Sequence, residues 1–397
     1  MSENNTNQEN YENSKYNEIE SFEDLDIHEN IIRGIFSYGF ELPSPIQKKA
    51  IQPILDGKDV IAQAQSGTGK TATFCLGVLG LIEEKKNETQ ALVLAHTREL
   101  ALQINMVFCQ ISNYMDILFN LSIGGIPVKE NIDSLSRKPR KPHVVIGTPG
   151  RVLDMINKNA LNTKNLKIMI IDEADEMLSE GFIDQIYNIF RTMPSNIQVG
   201  LFSATMTDKF FDISEKFMRD PIKILVKNEQ LTLEGIKQYV IDVELNDYKF
   251  ETLCDLYSLL TINQSIIYCN NKKVVNHLTE KMTEANFSVS FIHSDITNKE
   301  REETMSAFRN GKTRVLISTD LLSRGIDVQQ ISVVINYDVP YDIANYLHRI
   351  GRSGRYGRKG VAINFITKYD HKKIKDIEDF YNTNMEEMPE NIQSIFN

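Results

Sequence analysis

Two short stretches carry residues whose types and spacing suit phosphate chemistry: Q-A-Q-S-G-T-G-K-T at 63–71 and D-E-A-D at 172–175. Asp172, Glu173 and Asp175 follow an apolar run, I-M-I-I, and acids so placed have two uses. They cap a helix N-terminus, where side-chain oxygens meet free backbone N–H groups, or they hold a divalent cation and activate water. The upstream loop favours the second use. It lies between a strand-like D-V-I-A and an apolar helical stretch, the context a phosphate-binding loop requires. Backbone N–H groups of Ser66, Gly67, Thr68 and Gly69 would cradle phosphates at the start of the new helix. Lys70 would reach the β and γ phosphates and the Thr71 hydroxyl would meet Mg²⁺. Asp172 would then hold the same ion through water, and Glu173 would orient and deprotonate the attacking water. The first glycine of the usual loop pattern is Ala64 here.

The elements that must position these residues are legible as short Val/Ile/Leu-rich runs. Five fall in the first half, at 59–62, 91–95, 143–146, 168–171 and 199–202, and five in the second, at 265–269, 288–292, 314–318, 332–336 and 361–365. Runs apolar on both faces suit parallel strands covered by helices, and their alternation with helical patterns implies repeated βαβ units. The expected fold class is α/β, with two doubly wound parallel-sheet domains in tandem, although the halves show no obvious sequence repeat. The expected division is a polar tail over 1–20, a first domain over 21–226, a linker over 227–235 (K-N-E-Q-L-T-L-E-G) and a second domain over 236–397.

Composition sets limits on function. With 397 residues, 41% hydrophobic and 25% charged, the chain suits two ordinary globular domains. No apolar stretch reaches the ~18 residues of a membrane helix, and the Asn/Glu-rich N-terminus lacks a signal-peptide core, so secretion is not expected. Cys75, Cys109, Cys254 and Cys269 are widely separated, which excludes a zinc or disulfide framework and reads as small core residues. A net charge of −10 excludes wholesale electrostatic attraction to nucleic acid, leaving only a local basic track.

Taken with the phosphate loop, D-E-A-D resembles the DEAD-box RNA helicases, with further motifs in family order over about residues 20–385. The likeness is greatest to the translation-initiation branch and its exon-junction and ribosomal-RNA-processing paralogues. The resemblance implies two RecA-like domains and an ATP-dependent RNA helicase using ATP and Mg²⁺. G-F-E-L-P-S-P-I-Q at 39–47 resembles the adenine-sensing motif, in which the Gln47 carboxamide matches adenine's donor and acceptor. Phe22, seventeen residues before Gly39, resembles the aromatic that stacks on the base. S-A-T at 203–205 resembles the coupling motif, so Ser203 and Thr205 would link Asp175 and His348 to domain closure. Asp327 resembles the ribose-binding acid, and Arg352 and Arg355 the paired arginines that meet phosphoryl charge. A general basic loop over 348–359 is the alternative for those arginines.

For RNA, the resemblance implies Arg98, Gly125, Thr148 and Arg151 in the first half and Thr319 in the second, with Asn270 and Arg301 as further candidates. Contacts to sugar and phosphate carry no sequence information, so recognition would rest on shape and the 2′-OH of single-stranded RNA or a short duplex. Departures from the family pattern are His96, Ile126, the Met206-Thr207 pair, Ser294 and Ser323; all border the RNA or interdomain motifs. The same motifs serve an ATP-gated RNA clamp of the exon-junction kind, nuclear rather than cytoplasmic. The expected partners are RNA and a translation-initiation scaffold protein, with the chain monomeric by itself.

Overall fold

The computed structural model describes residues 18–64, 68–136, 140–179, 181–206, 208–224, 236–260, 262, 264–320, 331–351 and 360–389. The chain divides into two compact units, Met1–Val226 and Lys227–Asn397.

In the first unit the strands are β1 (Val60–Gln63), β2 (Ala91–Leu94), β3 (Phe119–Ser122), β4 (Val144–Gly147), β5 (Ile168–Asp172), β6 (Gln198–Ser203) and β7 (Ile222–Ile224). They form one sheet in the order β3-β4-β2-β5-β6-β1-β7, with every pairing parallel. Successive side chains point to opposite faces, so alternate residues feed two different cores. Val60, Ala62, Val93, Ile146 and Ile170 join one cluster, which includes Phe22, Phe74 and Phe108. Ile61, Leu92, Leu94, Val145 and Ile171 join the other, with Met155, Ile186 and Phe217. A strand with both faces covered must be apolar throughout, which is why these runs lack polar alternation.

In the second unit the strands are β8 (Ile236–Asp242), β9 (Ser265–Tyr268), β10 (Val289–Ile292), β11 (Val315–Ser318), β12 (Val333–Asn336), β13 (Gly360–Ile366) and β14 (Glu386–Glu387). The sheet runs β10-β11-β9-β12-β13-β8-β14, again with every pairing parallel. Counted from the start of each unit, both sheets have one order: third, fourth, second, fifth, sixth, first, seventh. The halves therefore repeat in topology where they do not repeat in sequence.

All ten apolar runs are strands, and four further strands, β3, β7, β8 and β14, lie outside them. β3 reads F-N-L-S, and its polar residues are buried because they are bonded: Asn120 Nδ2 donates to Ser134 Oγ at 2.9 Å, and Ser122 Oγ donates to Asn120 Oδ1 at 2.7 Å. β14 has two exposed glutamates and is a strand only by pairing with Tyr239 and Val240. The cysteines also differ from expectation. Cys75 and Cys269 are buried, whereas Cys254 is half-buried and Cys109 exposed. Among the described residues, no helix is long and apolar enough to cross a membrane.

Candidate functional site

In a parallel sheet, loops at the carboxyl ends of the strands collect on one edge. Strand order in the first unit sorts the candidate residues along that edge. The neighbours β5, β6 and β1 end at Asp172, at Ser203 and just before the phosphate loop. The neighbours β3, β4 and β2 end just before Gly125, Thr148 and Arg98. Nucleotide and RNA candidates thus occupy adjacent halves of one edge.

The phosphate-loop helix spans Lys70–Leu81, and its N-cap, Gly69, has φ of 100°, a left-handed conformation that glycine adopts without strain. A Cβ at Gly69 would lie 2.8 Å from Gln47 Nε2 and 3.1 Å from Ser44 Oγ. The adenine-motif candidate therefore packs directly on the loop. Gln47 is buried, and its Oε1 accepts from Ser44 N at 2.8 Å in a capping box at the helix Pro45–Leu55. Its position is fixed by this local helix start. Thr71 is half-buried on the first turn of the next helix, while Ser66 and Gly67 lie outside the described residues.

Lys70 is buried, with its Nζ 3.8 Å from Glu173 Oε1 and without a hydrogen-bond partner among the described residues. A buried ammonium with no acceptor is costly unless a ligand supplies one. Opposite it stand two buried carboxyls. Burial, and then the charge of Glu173, push Asp172 up to about 7, while Lys70 and the Glu173 N–H bond to Asp172 Oδ1 pull the other way. Among the described residues the Lys70 ammonium has no hydrogen-bond acceptor, and the Asp172 and Glu173 carboxyls crowd one another beside it. A polyphosphate supplies that acceptor and a divalent cation relieves the crowding of the acids, so the residues present fit ATP and Mg²⁺.

The capping alternative is excluded by position. The N-cap of the short helix Ala174–Met177 is Glu173, whose side chain makes no capping hydrogen bond. Glu173 also has φ of 49°, a left-handed conformation that costs a non-glycine residue roughly 1–2 kcal/mol. Strain of this kind concentrates at functional sites. Asp175 is tied elsewhere: Thr205 Oγ1 donates to Asp175 Oδ2 at 2.6 Å, and Ser203 Oγ donates to Thr205 O at 2.7 Å. Gln63 Nε2, at the end of β1, reaches Ala204 O at 3.3 Å. The D-E-A-D and S-A-T segments are thus bonded to one another beside the phosphate loop.

Several expectations meet a different geometry. Phe22 has no exposed surface; its ring packs 6.3 Å from Phe40 within the core, so it offers no open face to a base. Spacing from Gly39 could not reveal that. Arg151 donates to Ile126 O at 2.8 Å and to Asn131 Oδ1, which ties the Gly125 turn to the helix Val128–Leu135. Its Nη1 is a brace, leaving its other nitrogens for phosphate. Asn270 is spent within its own unit: Nδ2 donates to Val339 O at 2.8 Å, and Oδ1 accepts from Arg349 Nη2 at 2.8 Å. It is a structural residue. Thr319 follows β11 and is half-buried, Arg301 lies on the helix Asn298–Arg309, and His348 lies on the helix Ile343–Ile350. Asp327, Arg352 and Arg355, with the departures Thr207 and Ser323, fall outside the described residues.

Motif reading missed Arg349. It is fully buried, and its guanidinium donates to both oxygens of Asp320, to Asn336 Oδ1 at 3.2 Å and to Asp338 O at 2.6 Å. The ends of β9, β11 and β12 are held by this one side chain. Its position between His348 and Ile350 was visible; its partners were not.

Comparison with known proteins agrees with this geometry. Residues 44–213 match the DEAD/DEAH box helicase family, and residues 248–357 match the helicase conserved C-terminal domain. The two matches together span more than half of the chain. The chain is a DEAD/DEAH box helicase. Members of the family similar to it include eukaryotic initiation factor 4A of Caenorhabditis elegans, 54% identical over 95% of this chain and 93% of that protein. The ATP-dependent RNA helicase eIF4A of Scheffersomyces stipitis is 53% identical over 98% of this chain and 96% of its own length. Among solved structures, S. cerevisiae Dbp5 bound to RNA and ADP BeF3 superposes with a TM-score of 0.87 at 35% identity, covering 94% of this helicase and 96% of that chain. Mss116p bound to ssRNA and AMP-PNP gives 0.84 at 26% identity, covering 94% of this chain and 80% of that one.

Proposed function

We propose that this helicase binds ATP and RNA together and uses ATP hydrolysis to release RNA after local duplex opening, in translation initiation. The observation that carries the chemistry is Lys70, a buried ammonium without a hydrogen-bond acceptor among the described residues, facing Asp172 and Glu173. In this reading Lys70 binds the β and γ phosphates, and Gln47, packed on Gly69, reads adenine. Thr71 and Asp172 would hold Mg²⁺, which supplies charge neutralisation at the phosphates. Glu173 accepts the proton of the attacking water. Arg352 and Arg355 carry the family's phosphate-facing roles, and Asp327 the ribose contact.

Coupling is assigned to the Asp175–Thr205–Ser203 bonds, with His348 as their counterpart in the second unit. Arg98, Gly125, Thr148 and Arg151, with Thr319, would follow the sugar-phosphate backbone of single-stranded RNA. The initiation reading rests on the initiation factors 4A among the similar proteins. It carries with it cytoplasmic location, a monomeric chain and a scaffold protein partner. Substitution Glu173→Gln tests the chemical core. ATP affinity is expected to stay within about twofold while kcat falls by roughly 10²–10⁴, the usual worth of a general base; near-normal turnover would remove Glu173 from the role. Capture of an exon-junction heterodimer instead of an initiation scaffold would overturn the pathway.

A further inference from the structure

We propose that the second unit carries a binding pocket of its own for a nucleoside monophosphate, at the place its sheet shares with the phosphate loop of the first. In the first unit the loop and its acids lie at the first, fifth and sixth strands. The matching strands of the second sheet are β8, β12 and β13. After β8 the chain enters the helix Lys249–Leu259, whose first residue is a lysine, as in Lys70–Leu81. Lys249 and Lys70 are both buried. Lys249 Nζ lies 2.8 Å from Asp338 Oδ1, just beyond β12, where Lys70 lies 3.8 Å from Glu173, just beyond β5. A cavity of about 650 Å³ opens over the Lys249–Asp338 pair, with lining residues that all fall within 246–373. That volume suits a small organic ligand, and the carboxyl edge of a doubly wound sheet is where such ligands bind.

The charges of the lining set the charge of the ligand. No glycine-rich loop is present: residues 243–248 read V-E-L-N-D-Y, so the close backbone approach a triphosphate needs is absent. Lys249 is neutralised by Asp338, and Lys373 stands 3.8 Å from Asp370. Lys281, 5.2 Å over the Phe250 ring, is the lining lysine with no carboxylate partner among the described residues. One such cation matches one phosphate group.

The rim is aromatic. Tyr341 and Tyr369 both line the cavity while 77% and 75% exposed. Lys373 stands 5.1 Å over Tyr341 and Lys368 5.1 Å over Tyr369, which leaves the other face of each ring to stack on a base, and stacking tolerates any base. Asn246 and Asp247 also line the cavity, with side chains that make no hydrogen bond among the described residues, and they suit ribose hydroxyls. The same chemistry occurs in free nucleotides and in the nucleotide units of RNA. The lining comes from the ends of β8, β12 and β13 and also from the segment after β9, the neighbour of β11, whose end carries Thr319, so competition with RNA separates the two sources.

Calorimetric titration of the full chain with uridine monophosphate tests this, with a non-hydrolysable ATP analogue saturating the first unit. One saturable equivalent is expected. Lys281→Ala and Tyr341→Ala should each weaken binding about tenfold, as should removing the phosphate from the ligand. An isotherm unchanged by excess single-stranded RNA assigns the site to free nucleotide; displacement by RNA assigns it to an RNA nucleotide unit. Tyr341 and Lys281 lie outside the core, so far-ultraviolet circular dichroism should confirm native folding of both variants. Absence of saturable binding, equal affinity in both variants, or loss of binding on Lys70→Ala would overturn the proposal.

Discussion

At the residue scale the chemistry is concentrated in buried charge that lacks its complement. Lys70 has no hydrogen-bond acceptor among the described residues, and Asp172 is pushed up to about 7 by burial and by Glu173. Such a group is arranged for a ligand rather than for stability. Thr205 has the opposite character: its hydroxyl is committed to Asp175. Thr205→Val keeps the shape and removes the bond, so the variant should bind ATP normally while RNA stimulation of hydrolysis drops severalfold. Comparing ATPase rates with and without RNA checks this; equal stimulation in the variant would separate Asp175 from coupling. Arg349 is a structural charge. Arg349→Met removes one side of a buried pair and should lower stability by about 3–5 kcal/mol, measured by urea unfolding with a probe in the second unit.

At the element scale, function depends on how two helices begin. Gly69 lets the strand–loop–helix turn close against Gln47, and an alanine there meets both a positive φ and the carboxamide at 2.8 Å. Gly69→Ala should therefore weaken ATP binding at least tenfold, with global stability changed by only about 1–2 kcal/mol. Fluorescent-nucleotide titration beside thermal unfolding separates the two effects. Gly147 has another task. A Cβ there would sit 2.3 Å from Ser122 O, so the end of β4 is packed against β3 with no room for a side chain. Substitution should loosen the turn that presents Thr148.

At the scale of the whole molecule, two units each own a seven-stranded sheet and a core. A ligand that binds the native state alone stabilises by mass action, about 2.7 kcal/mol at a hundredfold excess over its Kd. ATP analogue alone should thus slow amide exchange in the sheet of the first unit and leave that of the second nearly unchanged. Hydrogen-exchange mass spectrometry reads this directly, and equal protection of both sheets without RNA would contradict an initial ATP contact made through the first unit.

What could be read from residues alone was whatever lies in local patterns. Runs apolar on both faces marked ten strands, and Q-A-Q-S-G-T-G-K-T with D-E-A-D marked the phosphate chemistry, because the burial of a parallel strand and the turn of a phosphate loop constrain neighbouring positions. Only tertiary structure decided the rest. β3 became a strand because Ser134 and Asn131 satisfy its polar groups, and β14 because β8 offered it an edge. Phe22 is covered by Phe40, Asn270 is spent on Arg349, and Glu173 rather than Asp172 stands at the N-cap. Each outcome turns on partners distant in sequence. The common strand order of the two units was hidden for the same reason: topology is conserved by which strands pair, and pairing leaves no mark on spacing.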